Sequence, residues 1–348
     1  MSSPEVLRDL VDDSIESKVF SAAACALVTP TGAKVKIVRG LSDPDRNEQA
    51  TSTSLFDLAS LTKPIATGSL LVKALELGLI SLAEKATKWI PDAQYLKDVT
   101  VSHLIGHVSG LPSWKALYQT PDKSAIEQIA ATPLKRPSGT EYEYSDLGYI
   151  LLGEILAQVY GQSLDEAAKK YIFAPLKLNS TTYRPNEAQQ KRAVVTGHSR
   201  SRPESTLKGQ VHDENAWWMG GVAGHAGLFS TIDDLMTYVR CLLNEGQGLF
   251  SPQATERFLS PHVRLDGQLG WHCLGWFAEP NEMLPRGDLF SRQVVGHSGF
   301  TGTAIVIDRT RKSAVIVLTN HVLYTPEKAE WLIVRRKMIN VLAAMQEL

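Results

Sequence analysis

Cysteine is scarce in this 348-residue chain, which has only Cys25, Cys241 and Cys273. They are odd in number, far apart and never spaced C-x-x-C, which excludes a disulfide framework, a zinc knuckle and a redox dithiol and predicts reduced thiols. Charge of one sign is equally lacking. The 36 Lys and Arg against 37 Asp and Glu leave a formal net charge of −1, without the basic excess that nucleic-acid binding requires. Long apolar runs are missing too, since Ala22 to Val28 falls far short of a bilayer span. The first twenty residues carry Glu5, Asp9, Asp12 and Asp13 where a signal peptide needs a basic end and an apolar run. The expectation is a cytoplasmic protein without a membrane partner, or a periplasmic one if a leader has been removed. No internal repeat is visible. The GxSxG, GxGxxG, P-loop and HExxH patterns are all absent, which removes the usual grounds for hydride or phosphoryl transfer.

What is present is an ordinary globular composition, with 43% hydrophobic and 21% charged residues, enough for one large body or about two domains. Val6, Leu7, Leu10, Val11 and Ile15 recur at helical spacing and predict an opening amphipathic helix. Ala22 to Val28 and Lys34 to Val38 predict strands joined by the turn Thr29-Pro30-Thr31-Gly32. Near the other end, Ala304 to Ile307 and Ala314 to Thr319 form a second strand pair around Asp308 to Lys312. A closing helix is announced by Thr325 and Pro326, with Trp331, Ile333, Val334, Met338, Val341 and Leu342 as its apolar side and Arg335-Arg336-Lys337 as its solvated face.

Between these ends the signals are mostly helical. Capping patterns stand at Ser81 with Glu84, Ser163 with Glu166 and Thr231 with Asp234, and stops at Gly78, Gly161 and Gly246. Ser199 to Gln210 reads as an exposed linker. The simplest architecture is α+β, an antiparallel sheet built from both chain ends and flanked by helices, with an inserted all-helical region. The division expected is 1–72 plus 200–348 for the sheet domain and 73–199 for the helical one, with the site at their junction.

The strongest chemical signal is Ser60-Leu61-Thr62-Lys63, which precedes a helical run from Ile65 to Leu77. Ser60 and Lys63 share one helical face, and an amine partly deprotonated by burial activates a neighbouring hydroxyl. Pro64 is tolerated only in a first turn, which places Ser60 at a helix N-terminus, where developing negative charge is favoured. Alone, this spacing equally suits a capping serine and a surface lysine. Further strings follow it in order: LIGHVSGLP from Leu104 to Pro112, Tyr144-Ser145-Asp146, GVAGHAGLFSTIDD from Gly221 to Asp234, and His297-Ser298-Gly299 within GHSGFTG.

This succession resembles the serine β-lactamase and penicillin-binding enzyme superfamily over roughly residues 15 to 340. It is most similar to the branch holding class C β-lactamases, D-alanyl-D-alanine carboxypeptidases and related esterases. The resemblance implies the α+β fold already described and a serine hydrolase acting on a small ester or amide. Ser60 would be the nucleophile, Lys63 and Tyr144 would share the acid and base work, and the Ser60 and Phe300 N–H groups would form the oxyanion hole. Asp146, His297, Ser298, Gly299, His225 and Trp218 are the expected substrate contacts. No cofactor or metal is implied. The partner expected is a small molecule such as a cell-wall-derived peptide, and the rival reading is a catalytically silent binding protein.

Two residues depart from the family pattern. Asp146 stands where the second motif commonly has Asn, and a carboxylate beside Lys63 is expected to hold the amine protonated, which favours Tyr144 as base. His297 replaces the Lys of β-lactamases, which points to peptidase, esterase or amidase activity and to turnover that changes between about pH 6 and 8. His103 and His107 are spaced to present two imidazoles but lack a third metal ligand, and the resemblance of the LIGHVSGLP string implies that His107 is a hydrogen bonder beneath the site. His212-Asp213 and His225 flank the glycine-rich run, where a loop-ordering histidine–aspartate contact and a substrate contact are both open. Trp217 and Trp218 are candidate pocket walls, whereas Trp271 and Trp276 are assigned to the core.

Overall fold

Ala22–Thr29 is a strand whose side chains are buried on both faces. Ala22, Ala24, Ala26 and Val28 meet one apolar cluster, and Ala23, Cys25 and Leu27 meet another. That is the period of two expected of a strand covered on both sides. The computed structural model describes residues 3–199, 202, 205–262, 271–324 and 328–346. In it this strand lies inside an eight-stranded antiparallel sheet. From one edge the order is Glu48–Gln49, Gly32–Asp43, Ala22–Thr29, Ser313–Thr319, Thr303–Asp308, Val294–Gly299, Phe277–Ala278 and Trp271–His272. The two chain ends therefore meet at mid-sheet, with Ala26 opposite Ile316.

Helices Ser3–Glu16 and Lys328–Ala344 cover one face of this sheet, as expected. Leu7 and Val11 of the first, and Trp331, Met338, Ile339 and Leu342 of the second, are buried there. The predicted phase of the last helix needs one correction. Ile333 is 58% exposed while Ile339 is fully buried, because the buried row runs through residues 331, 338 and 342 and Ile333 lies off it. Thr325 and Pro326 lie outside the described residues.

The opposite face carries the helical region and helix Ile232–Leu243. Helix Asp146–Tyr160 is its apolar axis, started by the Ser145 side chain accepting from Gly148 N and stopped by Gly161 at φ +62°. The cap at Ser163 forms with Glu166, and Thr231 accepts from Asp234 N. Ser81 starts no helix, since residues 81–84 form a turn closed by Glu84 N donating to Ser81 O at 3.1 Å.

The insertion is not wholly helical. Thr182–Tyr183 joins Phe56–Asp57 and Leu228–Ser230 in a three-stranded sheet, and Val195–His198 pairs with Thr206–Lys208. Part of the expected linker is thus a hairpin. Arg202 within it is buried and donates to His212 O at 2.7 Å. The three cysteines are free and buried. Among the described residues no helix is long and apolar enough to cross a membrane.

Candidate active site

The nucleophile candidate sits on a turn under local constraint. Ala59 adopts φ +46°, a left-handed conformation costly for a residue with Cβ. It is held there by Asp57, whose Oδ1 accepts Ala59 N at 2.8 Å while its Oδ2 accepts His212 N at 2.6 Å. Ser60 lies in the short 3₁₀ turn Ala59–Leu61, followed by the π-helical turn Lys63–Gly68 and then α-helix Ser69–Glu76. This is the helix start that Pro64 predicted.

Lys63 is wholly buried and its Nζ donates to Ser60 Oγ at 2.9 Å and to His225 O at 3.2 Å. It also forms an ion pair with Asp146 at 2.7 Å, without hydrogen-bond alignment, and lies 4.7 Å from the centre of the Tyr144 ring. Burial pulls the amine below its ordinary value and outweighs the opposing pull of Asp146. Burial first, and Asp146 second, push the Tyr144 phenol well above its ordinary value despite its hydrogen bond with Ser60. The expected order of the bases is therefore reversed. The carboxylate does not outweigh desolvation, and Lys63 rather than Tyr144 is the group shifted toward a neutral base.

Three buried imidazoles lie beneath this pair. His107 accepts Ser145 N at 3.0 Å through Nδ1 and packs on Tyr149, with centroids 4.8 Å apart. His297 packs on Phe277 at 4.2 Å and its Nδ1 lies 2.9 Å from Ser298 O. His272 lies 4.7 Å from the His107 ring. Burial above all holds all three below the ordinary imidazole value, His272 at about 3. This overturns the expectation that His297 titrates between about pH 6 and 8. Its burial keeps it neutral there.

The glycine-rich run is joined to the same helix. His225 O receives Lys63, Gly224 O receives Thr67 Oγ1 at 2.7 Å, and a Cβ on Gly224 would come within 2.0 Å of Tyr149 O. The histidine–aspartate contact exists, with His225 Nε2 2.9 Å from Asp213 Oδ1. Burial alone would raise Asp213, but His225 and the Ala216 N–H outweigh it and the carboxyl is lowered.

A cleft of about 630 Å³ opens over Ser60. Tyr144, Asp146, His297, Ser298, Gly299 and Phe300 line it, so the structure brings together most of the residues expected to form the site. A Cβ on Gly299 would stand 2.3 Å from Leu58 O, so glycine lets the third motif close on the nucleophile turn. Phe300 O is 2.8 Å from His321 Nε2, and His321 stacks on Trp331 at 5.3 Å.

Two expected contacts are not among the lining residues. His225 is buried behind Lys63, and Trp218 packs against the main core. Trp217 lines a separate cavity with Arg202 stacked on its ring at 4.9 Å. Trp276 is core, as expected, and the Trp271 side chain lies outside the described residues. Two tryptophans line the cleft, the buried Trp331 of the last helix and Trp114, which is 48% exposed. Its only sequence signal was its position two residues beyond LIGHVSGLP. Among the described residues no cluster of metal-ligating side chains exists, and His103 instead caps its own helix through Thr100.

The beta-lactamase family model matches residues 7–337. The chain belongs to the beta-lactamase family. It is 35% identical over 308 residues to an Escherichia coli K12 protein named "Putative D-alanyl-D-alanine carboxypeptidase", covering 78% of this chain and 70% of that one. It is 33% identical over 308 residues to the N-acetylmuramyl-L-alanine amidase of Bacillus subtilis strain 168, covering 77% and 68%. Among solved structures the octameric penicillin-binding protein homologue from Pyrococcus abyssi superposes with a TM-score of 0.75 at 21% identity, over 96% of this chain and 77% of that one. EstCE1, a hydrolase with promiscuous acyltransferase activity, superposes at 0.80 with 17% identity, over 97% and 98%. These last two likenesses establish the beta-lactamase-like fold. Family and relatives together make this chain a hydrolase of the beta-lactamase family.

Proposed function

We propose that this family member is a serine hydrolase that forms an acyl-enzyme on Ser60 and acts on small esters or amides. The observation that carries the reading is the 2.9 Å contact between Ser60 Oγ and the buried Lys63 amine. Neutral Lys63 takes the Ser60 proton as Oγ bonds to the substrate carbonyl carbon. The Ser60 and Phe300 N–H groups hold the resulting oxyanion, each worth about 2.7–4 kcal/mol in such sites. The proton passes to the leaving group by way of the Tyr144 phenol, whose raised pKa suits a donor, and the bond to the leaving group breaks. Water, deprotonated by the same amine, then attacks the ester, releasing the acid and restoring the Ser60 hydroxyl.

The neutral His297 and the carboxypeptidase and amidase relatives support a cell-wall-derived peptide as substrate rather than a penicillin. The free thiols support a cytoplasmic site of action and a role in recycling such fragments. The test is hydrolysis of p-nitrophenyl acetate, a penicillin and a muramyl peptide by wild type and Ser60→Ala. Turnover confined to the wild type, fastest on the muramyl peptide, is expected. Equal rates in both proteins would remove Ser60 as nucleophile, and absence of any turnover or adduct would favour the silent binding protein.

A further inference from the structure

The Phe300 N–H is one of the two oxyanion donors in the reading above, yet the Phe300 side chain stands 47% exposed at the cleft and gives its backbone little anchorage. The backbone is held instead through its carbonyls. Gly299 O accepts Gly302 N at 3.1 Å, and Phe300 O lies 2.8 Å from Nε2 of His321. A carbonyl only accepts, so that ring nitrogen carries the proton and donates it. The two bonds grip the peptide groups on either side of Phe300. Each peptide group is a rigid plane, so with both held neither backbone dihedral of Phe300 is free to turn, and its N–H keeps one direction.

Neighbouring bonds tie this turn to the nucleophile but leave Phe300 itself to His321. Thr301 Oγ1 donates to Asp57 O at 2.7 Å and Thr303 Oγ1 to Leu58 O at 3.0 Å, all four residues being buried. Thr319 N and Oγ1 both donate to Gly302 O, at 3.1 and 2.9 Å. The imidazole is itself immobilised. It is buried and stacks on Trp331 with ring planes 11° apart, and Gly302, at φ +116°, lacks a Cβ that would stand 3.0 Å from the ring Cδ2. The preceding Asn320 accepts Ser21 N and Ala22 N at 3.1 Å each and donates to Val195 O at 2.7 Å. Trp331 comes from the last helix and lines the cleft with Arg335, one turn on, which was expected on the solvated face with Arg336 and Lys337. His321 borders the cleft as well, but its Nε2 proton is committed to Phe300 O rather than offered to a substrate.

We propose that His321 is a positioning residue whose Nε2–H bond to Phe300 O aims the Phe300 N–H at the oxyanion of the acylation transition state. This rests on the hydrolase reading above. An oxyanion donor acts only when aimed where negative charge develops, and a misplacement of about 1 Å costs on the order of 10²-fold in rate. Two replacements separate the bond from the packing. His321→Phe keeps a ring against Trp331 and removes the donor, whereas His321→Gln loses the ring and supplies an amide N–H of similar reach. Acylation is read as the burst of p-nitrophenol from p-nitrophenyl acetate and from its thionoester, in which sulfur, a weak acceptor, replaces the carbonyl oxygen.

His321→Phe is expected to slow acylation by the oxygen ester roughly 10- to 100-fold at an unchanged half-saturation concentration, and to slow the thionoester by less, so that the ratio of the two rates falls. His321→Gln should recover most of that ratio. An equal fall for both esters, no fall, or the same loss in both variants overturns the proposal, since a change that merely loosens the fold slows both esters alike. One readout needs no variant. In the wild-type protein 15N NMR of the His321 ring should show the proton on Nε2, and a bare Nε2 overturns the proposal. If the wild type turns over neither ester, the hydrolase reading has failed by itself, and 15N relaxation of the Phe300 amide still decides the positioning role. An order parameter of about 0.85 in the wild type, lowered in His321→Phe and restored in His321→Gln, supports it, and one value in all three overturns it.

Discussion

The apolar layer beneath the terminal helices and the neighbourhood of Ser60 are built on opposite rules. Beneath the terminal helices the contacts are apolar, with Leu7, Val11, Met338, Ile339 and Leu342 closing on Ala23, Cys25, Leu27, Val315 and Val317. Around Ser60 the protein buries Asp57, Lys63, His107, His272 and His297 within one neighbourhood. The first region stabilises the fold through area removed from water. The second holds groups whose charged forms are disfavoured, the condition that moves an amine toward neutrality and a hydroxyl toward reactivity. The contrast separates the part of the molecule that maintains the scaffold from the part that maintains the chemistry.

The largest expected effect is at the site. Lys63→Met should lower kcat/KM by about 10⁴-fold or more, as removal of a member of a catalytic unit does. A loss below tenfold would assign the base elsewhere.

Acid should expose the same contrast. His107, His272 and His297 have native pKa values depressed below 6.5, so below that pH the unfolded chain binds more protons than the native one. Their contribution to stability is full above 6.5 and lost as pH falls, with a slope of up to about 4 kcal/mol per pH unit for three protons. Urea unfolding at pH 7, 6 and 5 measures it, and a triple Gln replacement should flatten the slope.

On the apolar face, Met338→Ala should cost about 2–5 kcal/mol in urea unfolding and leave the acid slope and the pH profile of turnover in place. A change in that profile would show that the two regions are not separable.

The smallest effect belongs to Asp57, whose buried carboxyl is raised from 3.8 to about 6 by desolvation against two N–H donors. Here the native state binds the extra proton, so this group favours stability at low pH and loses roughly 1–3 kcal/mol as pH rises from 4 to 7. The stability of Asp57→Asn relative to wild type should therefore improve over that rise. A difference that does not change with pH would show that Asp57 is not desolvated as its burial indicates.

Much of the scaffold was legible in the sequence because its signals are local. Ala22 to Val28 and Ala314 to Thr319 carry β-branched and small apolar residues in continuous runs, and Leu7 and Val11 carry a helical period. Ser60, Lys63 and Tyr144 were legible only as ordered strings, through a family resemblance. The balance of their pKa values was not, because it depends on burial and on Asp146 and Asp213 reaching the pair from separate segments. Trp114 and Arg335 were missed for the same reason. Nothing in their neighbours announces a cleft, and Arg335 reads as one of three adjacent charges until the helix phase sets it apart.

The most direct test of the account is the pH dependence of acylation, read as the burst of p-nitrophenol from p-nitrophenyl acetate in wild type and Tyr144→Phe. The account predicts a rate that climbs with pH and reaches its plateau below the ordinary lysine value of 10.5, with the same midpoint in Tyr144→Phe. A rate still climbing past that value, or a limb that disappears with the Tyr144 hydroxyl, would contradict a neutral Lys63 as the base.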